Sequence, residues 1–360
     1  MNRLRNLRFA TCAARILPWT AFCLLLSIAP RAAAQTAQPP ATPAAIAQQP
    51  QPAHPRIPTP VTVRNGTFVF HTSVDEVVLN VTVVNHKQRL VTTLTQPDFT
   101  VFEDGVAQKI RSFRREDVPV SLGILIDNSG SMYDKRDAVN QAALDLVRAS
   151  NPQDETFIVN FADDAYLDQD FTSNVYLLQK GLAHIDAKGG TALYDAVFAA
   201  ADHLAQKAKW RKQVLLIITD GEDNSSSSTL QQTVRKVQSL QGPIVYSIGL
   251  LFGGGESKTA RHALQTLSNE TGGLAYFPKS MAQVNSIAEQ VAEDIRNQYT
   301  LGYHPTQPES ASGYRKIRVV VKAKNMGKLT ARTRPGYYAG TSENKSATGL
   351  VKSTQSGSGQ

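Results

Sequence analysis

The sequence predicts an α/β fold: a doubly wound, mostly parallel sheet flanked by a small β-module built from segments on either side of it. Three observations predict it. Apolar runs at 120–126, 156–161, 214–219 and 244–251 are too continuous for half-solvated strands and suit a sheet covered on both faces. Segments of helical period separate these runs, the alternation that builds right-handed crossover units. On both sides, at 61–118 and 299–340, the pattern changes to short runs rich in β-branched and aromatic residues.

The elements follow in order. Arginines 3, 5, 8, 15 and 31 precede or flank an apolar stretch, Ala21 to Ile28, and Ala32-Ala33-Ala34 offers a small-residue cleavage site. Residues 1–34 therefore read as a secretory signal peptide, with an uncleaved anchor as the alternative. Cys12 and Cys23 are the only two cysteines of the chain, so the mature protein is expected to hold no thiol and no disulfide. Residues 35–60, dominated by Ala, Pro, Gln and Thr, read as an extended linker. Its role is either to space the folded part from a surface or none at all.

In the N-terminal β-module, 61–118, strands are expected at 77–84, 99–102 and 110–114, with a turn at Glu103-Asp104-Gly105. The central domain, 119–298, is expected to run strand 120–126, helix 135–150, strand 156–161, an edge segment 165–171, helices 175–185 and 192–206 and strand 214–219. Helix 230–240, strand 244–251, helix 258–270, strand 274–277 and helix 281–297 complete it. The first helix places Ala138, Ala142, Leu146 and Ala149 on its apolar face. Strands return at 299–303, 316–321 and 329–333, ending at Pro335-Gly336-Tyr337-Tyr338. This C-terminal segment, 299–340, is expected to pair with 61–118, and the tail 341–360 to be disordered.

Charge excludes one function class. The formal net charge is +8, but residues 1–34 supply five arginines and no acid. The central domain holds 15 basic and 21 acidic residues, and 299–340 holds 8 basic and 1 acidic, so docking between the two is favoured. No basic helix or aromatic-basic platform suggests a nucleic-acid partner. No segment outside the leader is long and apolar enough for an integral membrane span in the mature chain.

Three loops carry the chemistry. Asp127-Asn128-Ser129-Gly130-Ser131 follows the first buried strand, Gly189-Gly190-Thr191 opens a helix, and Asp220-Gly221 follows the 214–219 strand. In a doubly wound sheet the C-terminal ends of neighbouring strands share one rim, so the loops can converge. Ser129, Ser131 and Thr191 are neutral oxygen donors, while Asp127 and Asp220 bring two negative charges. Oxygen-only sets suit hard divalent cations, Mg²⁺ first, with Mn²⁺ or Ca²⁺ as alternatives. A partner protein presenting Asp or Glu would complete the shell. Gly130, Gly190 and Gly221 are expected to let the backbone turn beside the ion. Asp195, one helical turn past Thr191, is expected to face the site or orient another ligand.

This set resembles the metal-ion-dependent adhesion site of von Willebrand factor type A domains, whose pattern is Asp-x-Ser-x-Ser, then a Thr, then an Asp, on a Rossmann-like sheet. Asp127, Ser129, Ser131, Thr191 and Asp220 match every position. In that family the serines bind the metal directly, and the aspartates do so directly or through water. The resemblance covers about half the chain, and the whole layout resembles exported bacterial proteins of this class. It implies a periplasmic, envelope-associated or secreted module for adhesion or assembly, not an enzyme.

Blander readings stand beside these. Ser129 and Ser131 could cap the next helix, and Asp127 could serve the turn alone. Glu222, Asp223, Asp163 and Asp164 read as solvated turns, and Met132 and Tyr133 as core, with shaping of the site's rim as the alternative. His184, His203 and His262 read as structural rather than as zinc ligands. Gly253-Gly254-Gly255 reads as a connector. Two rival functions remain: a metal-dependent hydrolase using the same carboxylates, and a scaffold with an incidental ion site.

Overall fold

The computed structural model describes residues 61–64, 67–70, 76–115, 117–183, 188–239, 242–252, 257–307 and 313–339. The leader, the linker, the 341–360 tail, His184 and the 253–255 glycines lie outside the described residues.

The α/β domain is a six-stranded sheet of β7 (Val120–Asp127), β8 (Glu155–Phe161), β9 (Ala165–Thr172), β10 (Lys212–Thr219), β11 (Ile244–Gly249) and β12 (Ala275–Tyr276). Its order is β12-β11-β10-β7-β8-β9, parallel except for the antiparallel edge β9. The helices are α1 (Arg136–Ala149), α2 (Val175–Leu182), α3 (Leu193–Lys207), α4 (Leu230–Val237), α5 (Lys258–Asn269) and α6 (Val284–Arg296).

The continuous apolar strands resolve into two faces by the period of two. Val120, Leu122, Ile124 and Ile126 join a core with Val214, Leu216, Ile218 and residues of α1, α2 and α6. Leu125, Leu215, Ile217 and Val245 face the other way, against residues of α3, α4 and α5. Gly123 lies against the Phe157 ring and Leu215, where a side chain would collide with both. On α1 the core positions are Val139, Ala142, Ala143 and Leu146; Ala138, expected on that face, is exposed. A 3₁₀ turn, Gly130–Lys135, precedes α1, and another, Met281–Gln283, precedes α6, so both helices start later than their patterns predict.

The flanking strands are β1 (Val61–Arg64), β2 (Thr67–Phe70), β3 (Val77–Asn85), β4 (Phe99–Glu103), β5 (Val106–Gln108), β6 (Ile110–Arg114), β13 (Tyr299–Tyr303), β14 (Gly313–Val321), β15 (Leu329–Arg332) and β16 (Gly336–Ala339). Two four-stranded sheets, β15-β3-β13-β6 and β16-β14-β4-β5, mix segments from before and after the α/β domain. Their inner faces share one core that includes Leu79, Val81, Val101, Tyr299, Leu301, Ile317 and Tyr337. Phe99, Phe113 and Tyr299 meet with ring centroids 5.0 to 5.8 Å apart.

Four strands were not legible: the β1–β2 hairpin, β5 and β16. The expected turn at Asp104-Gly105, both with positive φ, is a tight hairpin into β5. Pro335-Gly336, expected as an end, instead opens β16, because Gly336 has no side chain to strike the Arg315 carbonyl and the Tyr314 ring.

The β-module meets the α/β domain at the N-terminal ends of the parallel strands. Gln298 Nε2 donates to Thr82 Oγ1 and to Tyr246 Oη, each at 3.2 Å. Arg334 donates to the carbonyls of Ser239 and Gly242 at 3.0 and 2.8 Å. Arg332 pairs with Asp294 of α6, the one of these contacts that matches the expected charge complementarity.

Candidate metal centre

Asp127 is the last residue of β7 and is fully buried. Its Oδ1 accepts from the Ser129 amide at 2.8 Å, and its Oδ2 accepts from the Thr219 hydroxyl at the end of β10. The Asn128 amide donates to the Phe161 carbonyl at 2.6 Å, fixing the loop to β8. Ser129 opens the 3₁₀ turn but makes no side-chain cap bond. Its hydroxyl lies 3.2 Å from that of Ser131, which donates to Asp220 Oδ1 at 2.7 Å. The capping reading of the serines thus fails for Ser129, whose hydroxyl faces the other site oxygens.

Thr191 arrives from a third direction. Its amide donates to Asn224 Oδ1 at 2.8 Å, and its carbonyl accepts from the amides of Asn224 and Ser225 at 3.0 and 3.3 Å. These bonds tie the second loop to the third. A Cβ on Gly221 would stand 3.4 Å from Thr191 Oγ1 and 4.0 Å from Asp127 Oδ2, so Gly221 keeps open the space between those oxygens. All five sequence-predicted ligand residues therefore meet on one rim.

The glycines act differently from expectation. None of Gly130, Gly190 and Gly221 has positive φ; the left-handed residue of the second loop is Gly189, at +82°. Gly130 has open space around it, whereas Gly190 lies against Ser225, Asn224 and Asp163, leaving no room for a side chain. Asp195 turns to the third loop, where its carboxylate accepts from the amides of Ser227 and Ser228 at 2.7 and 2.9 Å. Burial pushes its pKa up, but the bonds from Ser228 and Ser227 outweigh that and hold it below the ordinary carboxylate value.

Other residues read as bland are structural parts of the rim. Asp163 Oδ1 accepts from the Gly190 amide at 2.7 Å and from the Ser225 hydroxyl at 3.3 Å. Asp223 accepts from the Tyr194 amide at 2.9 Å, and Glu222 accepts from Ser257. Met132 is core, but Tyr133 is 70 % exposed beside the site, so the core expectation fails for it. His203 bonds Asp170 at 2.8 Å and stacks on Phe171. One Asp-x-Asp spacing, Asp168-Gln169-Asp170, lies on β9; Asp168 accepts from Asn160, and Asp170 serves His203 and Lys207.

Three neighbours of the predicted ligands have weak sequence signals. Thr219 precedes Asp220 but is distinguished only by its bond to Asp127. Lys135 donates to Asp220 Oδ2 and, at 3.0 Å, to the Ser131 carbonyl. Arg136 is fully buried and donates to the main-chain oxygens of Asp127 and Leu182, not to the Asp127 carboxylate. Burial lowers its pKa to about 10, against the raising influence of Asp127 and Asp168.

The donor chemistry fits a hard cation. Two carboxylates and three hydroxyls are oxygen donors of the kind such ions take, whereas no group of three or more His, Cys, Asp or Glu that could hold a metal ion occurs among the described residues. Burial raises the Asp127 pKa despite its bonds to Thr219 and Ser129, and Asp220 pushes it further up. A cation beside it would relieve both effects.

A mostly parallel, doubly wound sheet with helices on both faces defines the class of the domain. Residues 122–222 match the family model of the von Willebrand factor type A domain. Calcium-activated chloride channel regulator 1 of Mus musculus is 26 % identical over 195 residues, covering 52 % of this chain and 20 % of that protein. Its Equus caballus counterpart is 28 % identical over 174 residues, covering 46 % and 18 %. The chain thus spans about one fifth of the length of these relatives. An aerotolerance-related membrane protein from Bacteroides fragilis aligns with a TM-score of 0.42 at 19 % identity, covering 49 % of this chain and 98 % of that one. A von Willebrand factor type A protein from Catenulispora acidiphila aligns with a TM-score of 0.44 at 13 % identity, covering 74 % of each chain. Proximal thread matrix protein 1 of the mussel byssus, with a zinc-occupied MIDAS motif, aligns at 0.42 and 16 % identity, covering 59 % and 50 %.

Proposed function

We propose that this protein is an exported, ion-dependent protein-binding module rather than an enzyme. Asp127, Ser129, Ser131, Thr191 and Asp220 would hold a Mg²⁺-type ion, and an Asp or Glu of a partner protein would complete its shell. The ion supplies positive charge that a partner carboxylate can neutralise. The observation that carries the reading is the convergence of these five oxygen-bearing residues around the buried Asp127 carboxylate, whose hydrogen-bond donors are an amide and a hydroxyl, not a cation.

The surroundings suit a protein partner. Tyr133 is 70 % exposed on the first loop, and Tyr166 is 58 % exposed at the start of β9, on the same rim. Exposed tyrosines offer large, stiff contact area with a polar end, a chemistry enriched at protein interfaces. Beside them a cleft of about 270 Å³ is lined by Asn128, Asp163, Asp164, Tyr166, Asp168 and Lys188, among others. Export rests on the composition of residues 1–34. Among the described residues no helix is long and apolar enough to cross a membrane.

The test is calorimetric titration of the full chain with Mg²⁺, paired with capture from an envelope fraction with and without chelator. Asp127→Asn is expected to weaken Mg²⁺ binding by at least about a hundredfold and to abolish capture, with the fold kept. Capture that survives both chelator and Asp127→Asn overturns the reading.

A further inference from the structure

The β-module carries a second surface where exposed cations have no ion-pair partner among the described residues. Residues 313–339 contain eight Lys and Arg and no Asp or Glu. Several are used internally. Arg315 pairs with Glu103 at 3.0 Å, Arg332 pairs with Asp294, Arg334 serves main-chain carbonyls, and Arg318 lies over the Phe102 ring at 4.2 Å. Lys322, Lys324 and Lys328 stand instead on the loop that joins β14 to β15. Pairing of β15 with β3, Leu329 opposite Asn85, brings this loop beside the turn that carries Lys87 and Arg89.

All five cations are exposed. The first turn is held by its own hydrogen bonds. Asn85 Oδ1 accepts from the amides of Lys87 and Arg89 at 2.9 and 3.1 Å. In the other loop Asn325 and Gly327 take positive φ, and Met326 between them is 38 % exposed. Asp98 is an acid near Lys322, whose amide donates to its carbonyl at 2.9 Å. Its carboxylate is engaged by the amide and hydroxyl of Thr95, at 2.8 and 3.0 Å. Among the described residues, none of the five cations has an ion-pair partner.

We infer that this edge, Lys87, Arg89, Lys322, Lys324 and Lys328 around Met326, docks the protein onto an anionic phospholipid surface. The cations spread over two adjacent loop tips and converge on no pocket, which suits a plane of phosphates better than one small anion. No exposed Phe, Tyr or Trp lies among them to stack a base, and the one exposed ring of these two loops is the small imidazole of His86, which disfavours a nucleic acid. An apolar Met amid cations suits the headgroup layer, where the charges meet lipid phosphate and the thioether meets the acyl boundary. The module is joined to the end of the sheet opposite the ion rim, so docking by this edge leaves the rim to a protein partner. The inference does not depend on the ion site.

Each cation near an anionic leaflet is worth about a fivefold gain in affinity, and salt screens it. The experiment is flotation of the full chain with phosphatidylcholine vesicles and with mixed phosphatidylcholine–phosphatidylglycerol vesicles, at low and high salt. The wild type is expected to float with the mixed vesicles at low salt only. Lys322→Gln/Lys324→Gln/Lys328→Gln is expected to bind about a hundredfold more weakly, with an unchanged circular dichroism spectrum. Unchanged binding by this variant, which keeps residues 1–60, would place the contact elsewhere and overturn the inference. So would equal binding to phosphatidylcholine alone, loss of binding on adding chelator, or no binding of the wild type to the mixed vesicles.

Discussion

Two buried carboxylates separate the two halves of the molecule. Glu103, in the β-module, is 1 % exposed and fully partnered: Arg315 at 3.0 Å, Tyr303 Oη at 2.6 Å and Tyr337 Oη at 3.0 Å. Asp127, at the α/β rim, is equally buried, but an amide and a hydroxyl bond its carboxylate, and the nearby Arg136 is directed to main-chain oxygens. The first arrangement is closed, because a bonded counter-charge and two phenols occupy the carboxylate. The second has no bonded counter-charge among the described residues. Burial of an acid is therefore not a sign of function by itself; what distinguishes a site is a buried charge whose compensation is left to a ligand.

The comparison can be broken most forcefully at Glu103. Glu103→Gln leaves the Arg315 guanidinium, 5 % exposed, without its counter-charge. It is expected to cost about 3–5 kcal/mol in denaturant unfolding while leaving Mg²⁺ affinity unchanged. A small stability loss would show that the closed network is not what holds the module together.

A buried cation gives the intermediate case. Lys212, at the start of β10, donates to the Ile295 carbonyl, and burial lowers its pKa to about 8, against the raising influence of Asp294, Asp117 and Asp154. Between pH 8 and its ordinary value of 10.5 the unfolded chain binds more protons than the folded one, so the contribution of Lys212 to stability rises with pH there. Below that window the cost of burying the charge is fully present. Relative to wild type, Lys212→Met is expected to remove a gain of up to about 3 kcal/mol across the window. Parallel stability–pH curves for the two proteins would exclude that cost.

The smallest effect is expected beside Asp220. The Lys135 ammonium sits on Asp220, 24 % exposed against 3 % for the aspartate, where it competes with an incoming ion. Removing its charge in Lys135→Met is expected to tighten Mg²⁺ binding by about fivefold to tenfold, on the order of 1 kcal/mol. Weaker binding would mean that Lys135 supports the loop instead of opposing the ion.

Much of the α/β half was legible because its signals are local. Continuous apolar strands, helical spacing and the Asp-Asn-Ser-Gly-Ser loop each lie within one short window. The errors there are equally local: 3₁₀ turns absorbed the first residues of the helical patterns before α1 and α6, and Val139 took the core position assigned to Ala138. In the β-module the weaker signals failed. The short β5 has two exposed residues in three, and the β16 sequence begins with Pro335-Gly336, which imitates a chain reversal.

The site divides along the same line. The sequence by itself determined the residue types: hydroxyls and carboxylates at alternate positions after a buried strand, and a Thr and an Asp on two later loops. Only the tertiary structure decided which of them share a hydrogen-bond chain, that Asp195 and Asp163 brace the loops, and that Lys135 is the cation held against Asp220. The physical reason is range. Backbone pattern and side-chain chemistry are properties of neighbours in sequence. The compensation of the rim carboxylates depends on groups about ninety residues away, which only the packed rim brings within bonding distance.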